Sequence, residues 1–475
     1  MRVNTIQFCR EMVFNFSSLN RIDYISPCQI SDLSSLSVRL HLIIILIFIL
    51  SFSGCVDIRE AVKSLPLHIH PAEKIERNDF FVEKEDEVIG RLAVIKLEEG
   101  DTLPDIARHF SLGINTVSAA NPGVDIWVPE AGGRLLLPLS FILPDTRRKG
   151  IVINLAAMRL FYFRKEGKLL AVSTYPVGIG TEEQPSPMGQ MYITRKQFQP
   201  TWYVPAVITK DHRKKGDPLP AEVPPGPLNP LGEYALYLSK SGYLVHGTNK
   251  PASIGLRATY GCIRLYPEDI KRLYKTTQVK TPVRIVNQPY LVGQRDGIIY
   301  IEAHKPLEDS GTAELKTVYE KLRNIEKKSG IALDWKKVGK VMGEARGFPV
   351  PLFDIRNGND KNVTETIILR HPDKLYGKPE IPELKTDAWY VLAATLRDEV
   401  DALRLAAIIN HQGPPIPAMV LSTSGRHRVL AGPFKNRREA KDAAKRLKID
   451  LEIDGILVEP VKEGQPIALS GRLKD

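Results

Sequence analysis

Cysteine is scarce in this chain: four among 475 residues, at Cys9, Cys28, Cys55 and Cys262. Only Cys262 lies beyond residue 55. Removal of an N-terminal segment would leave it as the single thiol, which excludes an intramolecular disulfide and a multi-cysteine metal site. A glycine-rich phosphate loop is absent, and so is any basic-aromatic motif of the RNA-binding kind. No apolar run reaches the roughly 20 residues that a membrane span needs. Acidic excess is absent too: 66 Lys and Arg stand against 55 Asp and Glu, a net charge of +11. That balance suits an anionic cell envelope or an acidic glycopolymer. The composition is that of a soluble globular protein, and the length suits about three domains.

What is present begins with Leu40 to Phe52, an almost unbroken apolar stretch. It has the length of a signal-peptide core. Ser53-Gly54-Cys55 follows at once and resembles a bacterial lipobox, in which the cysteine is acylated and becomes the mature N-terminus. An uncleaved signal anchor is the other reading. Both export the remainder to the periplasm or cell envelope, with the membrane as a partner, and both argue against nucleic acid. Residues 1–37 are long, polar and not basic, so a start near Val38 is expected, with Val38-Arg39-Leu40-His41 as the basic leader. Residues 1–55 are therefore read as a signal or lipoprotein segment, and 56–92 as a tether containing a short strand. His68 and His70 alternate within it without a third ligand, so no metal site is expected.

Chemistry concentrates between His246-Gly247-Thr248 and Tyr260-Gly261-Cys262-Ile263-Arg264. The intervening residues are turn formers, so the chain can fold back and set imidazole beside thiol. A neighbouring base converts a mostly protonated thiol into a nucleophile. Gly261 permits close backbone approach, and amides near Cys262 would hold a developing oxyanion. This stretch resembles the signature of the L,D-transpeptidases, the YkuD-like catalytic family. Their pattern is His-Gly-Thr, then Ser-Ile-Gly, then Ser-His-Gly-Cys-Ile-Arg. Pro227-Leu228-Asn229-Pro230-Leu231-Gly232, Ser186-Pro187-Met188-Gly189 and Ile151-Val152-Ile153-Asn154 extend the resemblance over 151–287. Thr259 stands where relatives carry serine and keeps the hydroxyl. Tyr260 stands where relatives often carry histidine.

The resemblance implies Cys262 as nucleophile, His246 as base and the Gly247 carbonyl as its orienter. Tyr260, Gly261, Arg264 and Thr259 are expected in oxyanion and substrate contacts, with Arg264 a candidate anchor for a carboxylate. No cofactor is implied. Short β-prone runs at close spacing over 151–287 independently predict an all-β sandwich.

Flanking modules are expected on both sides. At 93–138, Gly100-Asp101-Thr102-Leu103 opens a helix, a second helix follows, and Asn121-Pro122-Gly123 precedes a closing strand. This βααβ order resembles a LysM module, which implies glycan contacts near Asp101, Thr102, Asn121 and Pro122. Residues 288–385 read as a strand, a charged helical stretch with an apolar stripe at Leu315, Val318, Leu322 and Ile325, and a linker over 346–385. At 386–461 a βαββαβ order predicts a ferredoxin-like α+β fold. Arg428-Val429 and Gly432-Pro433-Phe434 there resemble a SPOR module, which implies binding to glycan strands stripped of stem peptides.

The expected whole is a multidomain exported enzyme whose partners are peptidoglycan stem peptides and glycan strands. It would cross-link stem peptides through a cysteinyl thioester. Three alternatives stay open: a carboxypeptidase or endopeptidase with water as acceptor, attachment of an envelope protein to the wall, and a non-catalytic wall-binding scaffold.

Overall fold

The structure, a computed structural model, describes residues 79–460 apart from 84–85, 215, 308–310 and 357–364. The expected leader, the apolar stretch at 40–52, Cys55, and the His68–His70 pair lie outside the described residues.

The central element is a nine-stranded mixed sheet. From one edge to the other its strands are Asp79–Val82, Leu169–Pro176, Arg159–Glu166, Gly150–Asn154, Pro282–Val286, Gly189–Phe198, Tyr234–Leu238, Leu244–His246 and Ile263–Arg264. The long strand Gly189–Phe198 is shared between two halves. Gly189–Tyr192 pairs with Pro282–Ile285, whereas Ile193–Phe198 pairs with Tyr234–Leu238 across a register shift. Side chains of both halves, including Ile151, Ile153, Leu236, Val245 and Ile263, meet in one core with the helix Pro267–Thr276.

Strand Gly150–Asn154 shows how the layers are set. It is buried on both faces, so its period of two divides it between two cores. Ile151 and Ile153 enter the core just described, while Val152 enters another with Phe161, Phe163 and Val172. That second core is completed by the N-terminal unit, through Leu103, Ile106, Phe110 and Leu137. In this unit Leu92–Lys96 pairs with Arg134–Leu137 around the helices Leu103–His109 and Ile114–Ala120.

Two expectations about connecting segments are corrected. Residues 79–92 are not a tether. Asp79–Val82 extends the large sheet beside Leu170–Ser173, and Val88–Gly90 pairs with Ser140–Ile142. Nor is 346–385 a linker: Val350–Asp354 joins Ile298–Ala303, and Thr366–Ile368 lies parallel to Leu92–Val94. In each case the pairing partner is far away in sequence, so local polarity and proline content hid it.

Residues 290–354 make a three-stranded sheet backed by the helices Gly311–Ser329 and Trp335–Glu344. The stripe Leu315, Val318, Leu322 and Ile325 packs there on Val338 and Ile301. The C-terminal sheet has the order Ala418–Thr423, Arg426–Phe434, Trp389–Leu396, Ile456–Val458. Its helices Glu399–Asn410 and Arg437–Leu451 bury Ala402, Ile409, Ala440 and Leu447 against that sheet.

Candidate active site

Strand pairing brings His246 and Cys262 together. Leu244–His246 lies parallel to Ile263–Arg264, with His246 opposite Arg264, so Cys262 sits immediately before the strand beside the imidazole's own. A cavity of about 230 Å³ is lined by His246, Cys262, Arg264, Thr259 and Tyr260, with Trp202, Tyr203, Ile208, Leu231 and Leu244 supplying apolar walls.

The turn that presents Cys262 is held from both ends. Thr259 Oγ1 donates to the Cys262 carbonyl at 2.6 Å, so the threonine hydroxyl closes the loop. Gly261 has φ +93°, and a Cβ there would meet Tyr243 Cε1 at 2.6 Å and the Pro185 carbonyl at 3.0 Å. Only glycine fits such a position. Cys262 itself is half-buried.

His246 is buried, with Nδ1 2.6 Å from the Gly247 carbonyl. That carbonyl can only accept, so Nδ1 carries the hydrogen and Nε2 is left as the basic nitrogen. Burial, followed by the nearby Arg264 charge, pulls the imidazole pKa down to about 3, against the backbone groups of Gly247 and Leu231. Burial also pushes the Cys262 thiol up, opposed by the Leu244 backbone and by Arg264. Both shifts favour the neutral imidazole and the neutral thiol.

Arg264 is buried without a carboxylate partner among the described residues. Its Nη1 donates to Ser253 Oγ at 2.8 Å, and its Nε has no partner among those residues. Burial lowers its pKa to about 10, so it stays cationic at neutral pH. At 2 % exposure it is a fixed positive charge in the wall of the cavity that holds the thiol. Tyr260 donates to Asp211 Oδ2 at 3.1 Å, and burial followed by that bond raises the phenol pKa. Asp211 lies on the helix Ala206–Lys214, so Tyr260 ties the loop to the segment that roofs the cavity.

Sequence reasoning missed that roof. Trp202, Tyr203 and Asp211 carry no motif spacing, and only the two adjacent aromatics in a proline-rich stretch hinted at a wall. Asn229 stands within the Pro-Leu-Asn-Pro-Leu-Gly stretch. Its buried amide donates to the carbonyls of Pro200 and Val223 at 2.8 and 3.1 Å, and its Oδ1 accepts from Leu231 N at 2.9 Å. It thereby sets Leu231 against the site.

At the expected glycan contacts of the N-terminal unit, the side chains of Asp101, Thr102 and Asn121 are bonded within the chain. Asp101 is buried, accepting from His371 Nε2 at 3.0 Å, from Glu98 N at 2.8 Å and from Lys378 Nζ at 3.4 Å. Thr102 caps the helix through Asp105 N. Asn121 binds the Val117 and Leu136 carbonyls and Leu136 N, each at 2.8 Å. Buried polar groups are paired because leaving them unpaired is costly. Here the pairing engages all three polar side chains. Only Pro122 is exposed.

A family model described as the L,D-transpeptidase catalytic domain (YkuD) matches residues 148–285, and one for the SPOR domain matches 385–459. The "Probable L,D-transpeptidase YbiS" of Escherichia coli (strain K12) is 42% identical over 224 residues, 46% of this chain and 72% of that protein. The "Probable L,D-transpeptidase ErfK/SrfK" of Salmonella typhimurium (strain LT2) is 36% identical over 282 residues, 57% of this chain and 89% of that protein. Among solved structures, the catalytic domain of the Enterococcus faecium L,D-transpeptidase is similar at 22% identity and a TM-score of 0.23. It covers 30% of this chain and 99% of that one.

Proposed function

The chain belongs to the L,D-transpeptidase family, and from that premise we propose that its peptidoglycan cross-linking runs through a thioester on Cys262. The observation that carries the site assignment is the shared cavity, with Nδ1 of His246 committed to the Gly247 carbonyl and Nε2 left as base. The Cys262 thiol passes its proton to Nε2 while sulfur bonds to the carbonyl carbon of the residue preceding a terminal D-alanine. Backbone amides around Cys262 stabilise the oxyanion, and the buried Arg264 charge favours the thiolate. The tetrahedral intermediate collapses, the C–N bond breaks, and the D-alanine amine leaves with the proton from His246. An acceptor stem-peptide amine then attacks the thioester, giving its proton to His246 as the thiol departs.

The apolar walls favour an amine acceptor over water, because Trp202, Ile208, Leu231 and Leu244 offer solvent few hydrogen-bonding partners. The SPOR domain serves as a wall-binding module, and acylated Cys55 as the membrane attachment of an envelope protein. The 93–138 unit is LysM-like in element order, and its role in this reading is structural.

Incubation of the purified chain with disaccharide tetrapeptides, followed by mass spectrometry, tests the reaction. Cross-linked dimer and free D-alanine in equal amounts are expected. Tripeptide with no dimer would replace the reading with a carboxypeptidase.

A further inference from the structure

A second, larger cavity of about 590 Å³ opens where three units meet. The N-terminal unit contributes Asn115 and Thr116, the catalytic domain Glu182, Glu183 and Arg257, and the 290–354 unit Lys305. Its volume lies in the ordinary range for ligand sites, which favour domain junctions.

The floor is preformed. Ile114 N donates to the Ile254 carbonyl at 3.2 Å. The Asn115 carboxamide is wedged so that a Cβ at either Gly113 or Gly255 would meet its Oδ1 at 2.5 Å. The walls carry both signs of charge. Glu182, Glu183 and Lys305 are exposed and have no ion-pair partner among the described residues. Among the described residues no Phe, Tyr or Trp lines the cavity, so they offer no flat apolar platform on which a neutral sugar ring would pack. The strand Arg257–Thr259 joins it to the reacting centre, since Arg257 lines this cavity and Thr259 lines the one holding Cys262.

We infer that this junction is a binding site for a zwitterionic peptide, with Glu182 and Glu183 receiving its ammonium and Lys305 and Arg257 its carboxylate. The inference rests on the proposed reaction for its occupant, which is a second stem peptide held unreacted beside the one on Cys262. Charge-assisted hydrogen bonds of this kind are the strong ones, and the paired signs fix orientation as well as affinity.

The test uses the full chain and a synthetic tetrapeptide ending in D-alanine, with a free side-chain amine, free carboxylates and a diazirine. Peptide mapping after photolysis separates two sets of crosslinks, one around 115–119, 182–183, 255–257 and 304–307 and one around 242–246 and 259–262. Both are expected. The double variant Glu182→Lys/Glu183→Lys changes two exposed residues and should lower the first set about tenfold or more while leaving the second. Crosslinks at 242–246 and 259–262 alone would overturn the inference and leave the reaction standing. Crosslinks at the junction alone would support the inference and count against the reaction. A first set that the double variant leaves unchanged would also overturn it. So would displacement of that set by a peptide-free N-acetylglucosamine oligomer, which would reassign the cavity to glycan.

Discussion

The loops at 246–264 and 100–122 were equally readable as motifs, yet they meet opposite fates in the fold. In the first, polar groups are left for chemistry: Cys262 faces a cavity, and Arg264 has a buried Nε with no partner among the described residues. In the second, Asp101, Thr102 and Asn121 are consumed by bonds to their own chain. The N-terminal unit is also welded to the catalytic domain. Arg108 makes a two-pronged bridge to Glu268 at 2.9 and 3.1 Å, Ser111 donates to Asp269, and Tyr266 donates to the Leu112 carbonyl. On its other side the C-terminal domain adds Arg404 on Asp125 and His411 on Asp105. A motif marks a loop that needs particular residues. Whether the need is chemical or architectural depends on which polar atoms the rest of the chain satisfies.

The sharpest way to break this contrast is Cys262→Ala. Carbapenems acylate this family, so intact-mass measurement should show one adduct on the parent chain and none on the variant. A persistent adduct would place the nucleophile elsewhere and return 246–264 to the status of the other loop. His246→Gln comes next. Loss of a working base should slow acylation by ~10²–10⁴, with the fold intact by circular dichroism.

How far the sequence could be read follows the same division. The turn around Cys262 was legible as a motif because its requirements are local: a glycine at φ +93°, a hydroxyl three residues before the Cys262 carbonyl it binds, and a histidine followed by glycine. The helices of the N-terminal unit were legible through a cap and an apolar period, and those of the C-terminal unit through the order of strand and helix segments. The supposed tether and linker were misread because a strand as short as Thr366–Ile368 declares itself only beside Leu92–Val94. Asp211 was invisible for a similar reason, since its meaning comes from Tyr260, distant in sequence.

Acid stability sharpens the comparison, because the two regions titrate in opposite directions. His246 falls to about 3 on folding, so between that value and about 6.5 the unfolded chain binds the extra proton and stability drops as pH falls. Asp269, buried at the weld, is raised to about 7 by burial first and then by Glu268. It favours the folded state at low pH, and that contribution is lost as pH rises from about 4 through 7. Relative to the parent, thermal melts from pH 4 to 7 should therefore gain stability on the acid side in His246→Gln and lose it there in Asp269→Asn. Equal slopes in both variants would remove the electrostatic distinction.

Where the N-terminal unit meets the 366–385 segment, Asp101→Ala removes the carboxylate shared by His371 and Lys378, at a cost of ~1–3 kcal/mol in urea denaturation. Retention on isolated sacculi should not change once the protein is folded. Loss of sacculus binding without loss of stability would restore the glycan role of this loop.

The smallest effect is expected at Tyr260, where the sequence departs most visibly from its relatives. Its hydroxyl bonds Asp211 on the roof helix and touches neither the imidazole nor the thiol by any hydrogen bond among the described residues. Tyr260→Phe keeps the ring that packs near Trp202 and Ile208 and deletes only that bond. A hydrogen bond of this kind contributes about 1 kcal/mol, so acylation by a carbapenem should change only a few-fold. The roof, no longer tied at Asp211, should admit acceptors less selectively, and the ratio of dimer to hydrolysed product should fall. Tyr260→His places an imidazole two residues before the nucleophile and separates two explanations. If His246 is already the base, acylation stays within a few-fold of the parent and only the product ratio moves. A rise of orders of magnitude would mean that the parent site lacks a working base and that His246, neutral and buried, serves the fold instead.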